Sequence, residues 1–322
     1  MISQASYTPI VVIGHGNSGS GAIIDYLRGR PDVYDPLKEE FRLIQEKDGL
    51  ADLEKSLTGS FDICAAAPAI EKFKNLSFRL GRRSRKITLR PRLGLGYSNS
   101  HPEYNTLIEE FLRNITEYKT KKQWTSNKLD FTLPQWVMFK LFKTSPYHNS
   151  IPVRHEKFEN AAHSLIQKLF APPNEFSSHT SIDQGGSFFS PLKSTKYYGD
   201  KRRVIVVTRD LLDVYTERQS KHGKRAKNYV AYMESLAPHI RIDEYSDPKV
   251  ERVSFESFIF DHEKEKNRIC AFLGLDPDTR SQFDPNLSKK NVGKHKKHLS
   301  KKDQETIKQG LSAVWPFPTT WS

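Results

Sequence analysis

Cysteine is scarce in this chain: Cys64 and Cys270 are the only two among 322 residues. Two thiols cannot build a disulfide framework or a four-thiolate zinc site. The low count suits a reducing compartment. Long apolar runs are missing as well. No stretch approaches the roughly 18 consecutive apolar residues that mark a membrane span. The first residues, Met1-Ile-Ser-Gln-Ala-Ser-Tyr7, lack the basic region and apolar stretch of a signal peptide. Negative charge is short: 38 Asp and Glu stand against 51 Lys and Arg, a formal net charge of +13. That balance favours an anionic partner, whether nucleic acid, acidic lipid, polyanionic glycan or nucleotide phosphate. Core-forming residues are not lacking. With 36% hydrophobic and 11% aromatic residues, wholesale disorder is excluded.

What is present alternates strand and helix signals. Pro9-Ile-Val-Val-Ile-Gly14 is a short apolar run that reads as a buried strand. His15-Gly-Asn-Ser-Gly-Ser-Gly21 is a loop of small residues, and Ala22-Ile-Ile-Asp-Tyr-Leu27 follows as helix. Asp32-Val-Tyr-Asp35 reads as a short second strand, and residues 48–58 have helical spacing. Leu107, Ile108, Phe111, Leu112 and Ile115 form one apolar helical stripe; Leu165, Ile166, Leu169 and Phe170 form another. The basic run Arg79-Leu-Gly-Arg-Arg-Ser-Arg-Lys86, with Arg90 and Arg92, marks residues 79–101 as an exposed loop or insertion. Arg203-Val-Ile-Val-Val-Thr208 is the second clear buried strand, with a helix expected after Arg209-Asp210. Val250–Phe255 is a third strand candidate, and Asp261–Leu273 a helix stopped by Gly274 and Pro277. A last helix is expected from Lys301 to Val314. Strands alternating with helices predict an α/β fold with a mostly parallel sheet.

The glycine loop joins a strand to a helix, which makes it a ready anion site. Its backbone N–H groups converge, and the helix dipole adds positive potential. Gly14-x-Gly16-x-x-Gly19 fits the dinucleotide fingerprint, with Asp32 or Asp35 as the acidic residue that should follow. Gly14-x4-Gly19 also begins a Walker A motif, but Ser20-Gly21 follows instead of Lys-Ser/Thr. Without that lysine and hydroxyl, an ATPase or GTPase is not expected.

A third reading uses the whole loop. Gly14-His-Gly-Asn-Ser-Gly-Ser-Gly21 resembles the 5′-phosphosulfate loop of sulfotransferases, whose usual form is Gly-x-x-Arg/Lys-Ser-Gly-Thr-Thr. Three further segments follow in the family's order. Arg203–Tyr215 is similar to the 3′-phosphate segment, a buried strand followed by Arg-Asp-Pro-Arg-Asp-Val/Ile. Val253–Asp261, running into Ile269–Leu275, resembles the Tyr-Glu-Asp-Leu … Phe-Leu-Gly-Leu stretch. Ser288-Lys-Lys-Asn-Val-Gly-Lys-His-Lys296 resembles the Ser-x-x-Asn-Ile-Gly-x-x-Lys loop of carbohydrate-type members. The resemblance runs from residue 9 to about 297 and implies a P-loop NTPase-like three-layer fold. It implies one domain over residues 1–322, with 79–175 as a basic loop and helical insertion on the acceptor side.

The resemblance also implies a donor, 3′-phosphoadenosine 5′-phosphosulfate (PAPS), and no metal. Its 5′ end would lie on Gly16, Asn17, Ser18, Gly19, Ser20 and Gly21. Arg209 would grip the 3′-phosphate, with Lys289, Lys290, Gly293 or Lys294 closing over it. Sulfuryl transfer to a hydroxyl needs a base near the acceptor oxygen. In Asp35-Pro-Leu-Lys-Glu-Glu-Phe-Arg42, Glu40 is the first candidate and Glu39 the second, with Arg42 to orient the glutamate or bind an acidic acceptor. The chain departs from the pattern at three places, the first being Leu211 and Leu212 in place of the Pro and Arg of Arg-Asp-Pro-Arg. Asn17 stands where a cation usually precedes the loop serine, so Lys38, Arg42 or a C-terminal lysine would have to supply the charge. Glu217 stands where a serine often helps hold the 3′-phosphate; Thr216 or Ser220 are the substitutes in reach.

The expectation is therefore a cytoplasmic PAPS-dependent sulfotransferase acting on a hydroxyl acceptor, a glycan or glycolipid, with no nucleic acid partner. The alternatives are a dinucleotide-dependent oxidoreductase and a non-catalytic binding protein on a nucleotide-binding fold. His155, His163 and His179 lack metal-ligand spacing, the sequons at Asn75, Asn114 and Asn286 read as chance, and Trp136 reads as core or as cleft lining.

Overall fold

Ile10, Val11, Val12 and Ile13 are all fully buried, although neighbours on a strand point to opposite faces. A strand buried on both faces belongs inside a covered parallel sheet, and that is where the computed structural model places it. The structure describes residues 7–58, 63–82, 94–120, 131–143, 149–152, 155–173, 177–222, 229–312 and 315–317. Among these residues, seven strands occur in chain order: β1 (Thr8–Gly14), β2 (Val33–Tyr34), β3 (Thr116–Thr120), β4 (Asn149–Pro152), β5 (His179–Asp183), β6 (Arg203–Thr208) and β7 (Val250–Ser254). The main sheet has the order β2-β5-β1-β6-β7 and every pairing in it is parallel.

The chain divides into two compact units: Met1–Asp35, Pro172–Lys196 and Asp200–Ser322 form the first, and Pro36–Ala171 with Tyr197–Gly199 the second. The first holds the main sheet. On one face, Ile10, Val12, Ile205, Val207 and Val253 pack with Ile23, Ile24 and Leu27 of the helix Ser20–Arg28. Phe258 and Ile259 of the helix Phe255–Phe260, and Ile269 and Leu273 of the helix His262–Leu273, complete that layer. Val11, Ile13, Val204 and Val206 on the other face are equally buried. Gly274, left-handed at φ 73°, ends the His262–Leu273 helix as expected. Cys270 lies buried beside the Tyr26 hydroxyl at 3.2 Å, and the Cys64 side chain lies outside the described residues.

The order of strands places a reversal between β1 and β6. The chain leaves β1 toward β2 on one side and later crosses to β6 and β7 on the other. Ligands in open α/β sheets bind at the carboxyl ends of the strands at such a point. The glycine loop and Arg209 both start there.

The second unit is helical, with the helices Leu50–Thr58, Ile63–Gly81, Tyr104–Asn114 and His155–Phe170 and the antiparallel pair β3/β4. Its core is aromatic. Phe73 meets Phe111 at 5.4 Å, Phe111 meets Phe158 at 6.0 Å, and Phe41 meets Phe170 edge-on at 4.9 Å.

Two expectations need correction. Residues 79–81 complete a helix rather than open a loop, and Tyr97 is fully buried at the start of the short helix Tyr97–Ser100. Arg83–Lys86, Arg90 and Arg92 of that basic run lie outside the described residues. Trp136 is not core: it is 47% exposed on the helix Leu133–Phe142, none of whose residues is buried. Among the described residues, no helix is long and apolar enough to cross a membrane, and no cluster of His, Cys, Asp and Glu could hold a metal ion.

Candidate active site

The loop after β1 is shaped by what its glycines omit. A Cβ on Gly14 would stand 2.1 Å from the Ser18 hydroxyl, and one on Gly19 2.4 Å from the Phe255 ring. Asn17 and Gly19 are left-handed, at φ 66° and 83°. Asparagine is the side chain that bears this conformation best after glycine. The amide of Ser18 donates to the carbonyl of His15 at 2.9 Å, which closes the turn. The Ser18 hydroxyl is buried and, among the described residues, unpartnered, while the Ser20 hydroxyl accepts from Gln184 at 2.8 Å. No side chain caps the Ser20–Arg28 helix, so its N-terminal end keeps its positive potential for an incoming anion.

His15 stands at the root of the loop, edge-on to Phe188 at 5.4 Å and to Trp315 at 5.8 Å. Burial, with help from Arg218 and Arg209, pushes its pKa down to about 4 against a weaker opposing bond to Gly16. The imidazole is therefore neutral at pH 7.

Arg209 follows β6 and faces the loop. Its guanidinium donates to the Asn17 carbonyl at 3.0 Å and to the Asn291 carbonyl, and it pairs with Glu217 at 3.1 Å. The ring of Phe255 lies 5.1 Å beneath it. Phe255 thus floors both Gly19 and Arg209. The arginine side chain is only 3% exposed, and its Nε is buried without a partner among the described residues. Glu217 also accepts from Lys294 at 2.8 Å. Burial works against the charge of Glu217, but Lys294 and Arg209 together hold its carboxyl below the ordinary glutamate value.

The C-terminal segment is fastened to the helix Leu211–His222 by Asp213. This buried carboxylate accepts from the Gly293 amide at 2.7 Å, the His295 amide at 2.9 Å and His295 Nδ1 at 2.8 Å. Asp210 turns inward instead: its amide donates to Glu256, and its carboxylate caps the helix through the Leu212 amide. Arg209 has its ion pair with Glu217 instead. Thr216 returns its hydroxyl to the Leu212 carbonyl, so it is not directed to a ligand, and the Ser220 side chain lies outside the described residues. Lys289 and Lys290 are exposed.

Glu40 and Arg42 belong to the second unit. Arg42 donates to one Glu40 oxygen through both Nε, at 2.9 Å, and Nη2. The segment is fixed by Tyr97, whose hydroxyl donates to the Glu40 carbonyl at 2.6 Å and accepts from the Arg42 amide at 2.8 Å. Glu40 remains 45% exposed, and Lys38 and Glu39 are exposed beside it.

The expected site residues thus fall into two groups. Gly16–Gly21, Arg209, Gly293 and Lys294 converge at the carboxyl ends of β1 and β6. Glu40 and Arg42 form a pair of their own. The glycine-loop half of the first group suits a tetrahedral anion, with its Ser18 hydroxyl unpartnered among the described residues and its helix uncapped. The half expected to hold a 3′-phosphate is filled by the chain's own carboxylate, Glu217. Sequence reading missed Phe255, Gln184, His295 and Arg218. Phe255 and His295 carried a signal, each lying in a segment that matches the family pattern.

The dinucleotide alternative meets two obstacles. In that fold, the strand after the glycine-loop helix pairs with the first strand; here β5 lies between β2 and β1. Asp32 is held bidentately by Arg30 at 2.9 and 2.7 Å, and Asp35 by Arg28.

No protein-family model matches the chain, and no curated protein matches it. Solved structures similar to it along almost the whole length include three described as sulfotransferases. One is the sulfotransferase domain of the Synechococcus PCC 7002 olefin synthase, at 15% identity and TM-score 0.45, covering 97% of each chain. Another is a sulfotransferase from Alicyclobacillus acidocaldarius, at 12% identity and TM-score 0.42, covering 98% of this chain and 99% of that one. The third is the sulfotransferase domain from the curacin biosynthetic pathway, at 11% identity and TM-score 0.41, covering 98% and 94%. At such distances, function must be read from the site's own residues.

Proposed function

We propose that the protein moves a sulfuryl group from PAPS to a hydroxyl of an acceptor of the glycan or glycolipid class. The observation that supports this most is the meeting of three separate segments, Gly14–Gly21, Arg209 and Gly293–Lys294, beside a topological switch point. A donor charged at two ends needs two anion sites, and these segments supply both. Bound PAPS supplies a sulfuryl group already activated by its bond to phosphate. The backbone of residues 16–21 and the Ser18 hydroxyl hold the 5′ end. Arg209 and Lys294 hold the 3′-phosphate once Glu217 gives way. Glu40 takes the acceptor's proton, held in orientation by Arg42. The net charge of +13 suits an acidic acceptor.

The test is transfer of radiolabelled sulfate from PAPS to a panel of acidic glycans and glycolipids. Glu40→Gln should reduce turnover by at least about 100-fold and leave donor affinity unchanged. Full activity in that variant removes Glu40 as the base. One observation favours a second reading: Glu217 already pairs with Arg209 and Lys294, the two cations proposed for the 3′-phosphate. A binding protein that has lost its nucleotide would hold acidic glycans yet show no affinity for a 3′-phosphorylated nucleotide.

A further inference from the structure

The loop carries no cation of its own, because Asn17 stands in the place where one is expected. Departure of a phosphate from sulfur leaves negative charge on the phosphate oxygen, and positive charge beside that oxygen stabilises it. Lys294 is paired with Glu217, and Arg209 is enclosed by Asn17, Asn291 and Glu217. Arg218 differs from both. It lies on the Leu211–His222 helix, and its Nη2 is 3.1 Å from where a Cβ on Gly16 would be. Gly16 is exposed and Arg218 half-buried. The guanidinium rests on the rings of Tyr229, at 5.5 Å, and Tyr232, at 5.4 Å. Among the described residues, no carboxylate pairs with it. It is also close enough to His15 to oppose that ring's protonation. A side chain at Gly16 would push against it, so the bare glycine is what lets the cation reach the loop.

We infer that Arg218 supplies the charge that Asn17 does not, by contacting the 5′-phosphosulfate end of the donor. This rests on the donor-site reading given above. As the acceptor oxygen bonds to sulfur, the bond from sulfur to the 5′-phosphate oxygen breaks. Its electron pair stays on that phosphate oxygen, and the acceptor's proton passes to the base. Arg218 neutralises the charge left on the phosphate. The two tyrosine faces keep the guanidinium in place without neutralising it, as a carboxylate would.

The experiment needs no acceptor. Adenosine 3′,5′-bisphosphate and adenosine 3′-monophosphate differ only in the 5′-phosphate. The affinities of both are measured for the wild type, Arg218→Gln and Arg218→Lys, with thermal melting as a check on folding. For Arg218→Gln, bisphosphate affinity should fall on the order of 10- to 100-fold, while 3′-monophosphate affinity stays unchanged. Arg218→Lys, which keeps the charge, should recover part of the loss. Equal bisphosphate affinity in the wild type and Arg218→Gln overturns the inference and leaves the donor site standing. An equal loss for both nucleotides in a normally melting variant also overturns it, since Arg218 then does not act at the 5′ end. A wild type that binds neither nucleotide overturns the donor-site reading itself. Should Arg218→Gln melt early, Arg218→Lys decides: retained preference for the bisphosphate supports the inference, and its loss with normal melting overturns it.

Discussion

A single carboxylate governs the 3′ half of the proposed nucleotide site. Glu217 sits between Arg209 and Lys294 and takes up the charge a phosphate would meet. Binding a 3′-phosphate then means separating a partly buried ion pair, which costs energy even when the new partner is also an anion. Glu217→Gln removes that competitor and leaves two cations without a counter-charge. Its affinity for adenosine 3′,5′-bisphosphate should rise on the order of tenfold, read by titration of the variant against the wild type. Unchanged or weaker binding would show that Glu217 does not stand in the phosphate's place. At this scale the sequence was partly legible. Asn17, Arg209 and Glu217 stood out because they fill or break a recognisable pattern. Arg218 did not, since nothing in Glu217-Arg218-Gln219 says which of the three side chains turns to the loop. Only the helix register decides that.

Asp213 joins two elements that are about 80 residues apart in the chain. It ties the Gly293–His295 turn to the Leu211–His222 helix, and so brings Lys294 to Glu217. Asp213→Ala would leave two backbone amides and a buried imidazole without their acceptor. The expected cost is about 3 kcal/mol of stability, together with faster amide exchange at Gly293 and His295. Slow exchange at both amides in a folded variant would contradict this fastening role. Among the elements, β1 and β6 were legible because strands covered on both faces read as unbroken apolar runs. β5 was not, because His179-Thr-Ser-Ile-Asp183 looks polar. Its polar side chains are satisfied inside the fold: His179 meets the Leu273 carbonyl at 2.9 Å, and Ser181 reaches the Tyr34 carbonyl. Burial there is carried by hydrogen bonds, which leave no hydrophobic period to read.

For the molecule as a whole, composition and alternation predicted an α/β chain with a parallel sheet, and the sheet is parallel throughout its five strands. The strand order could not be read, because it depends on long-range pairing that local sequence does not encode. Yet that order is what sets the reversal between β1 and β6, beside which the glycine loop, Arg209 and the C-terminal turn meet. The central claim is that these three segments take a nucleotide charged at both ends. Calorimetric titration of the purified protein with adenosine 3′,5′-bisphosphate, with ATP and NAD as controls, tests it most directly. Micromolar binding of the bisphosphate with little affinity for the other two is the predicted result. No binding of the bisphosphate, or equal binding of ATP or NAD, would contradict it.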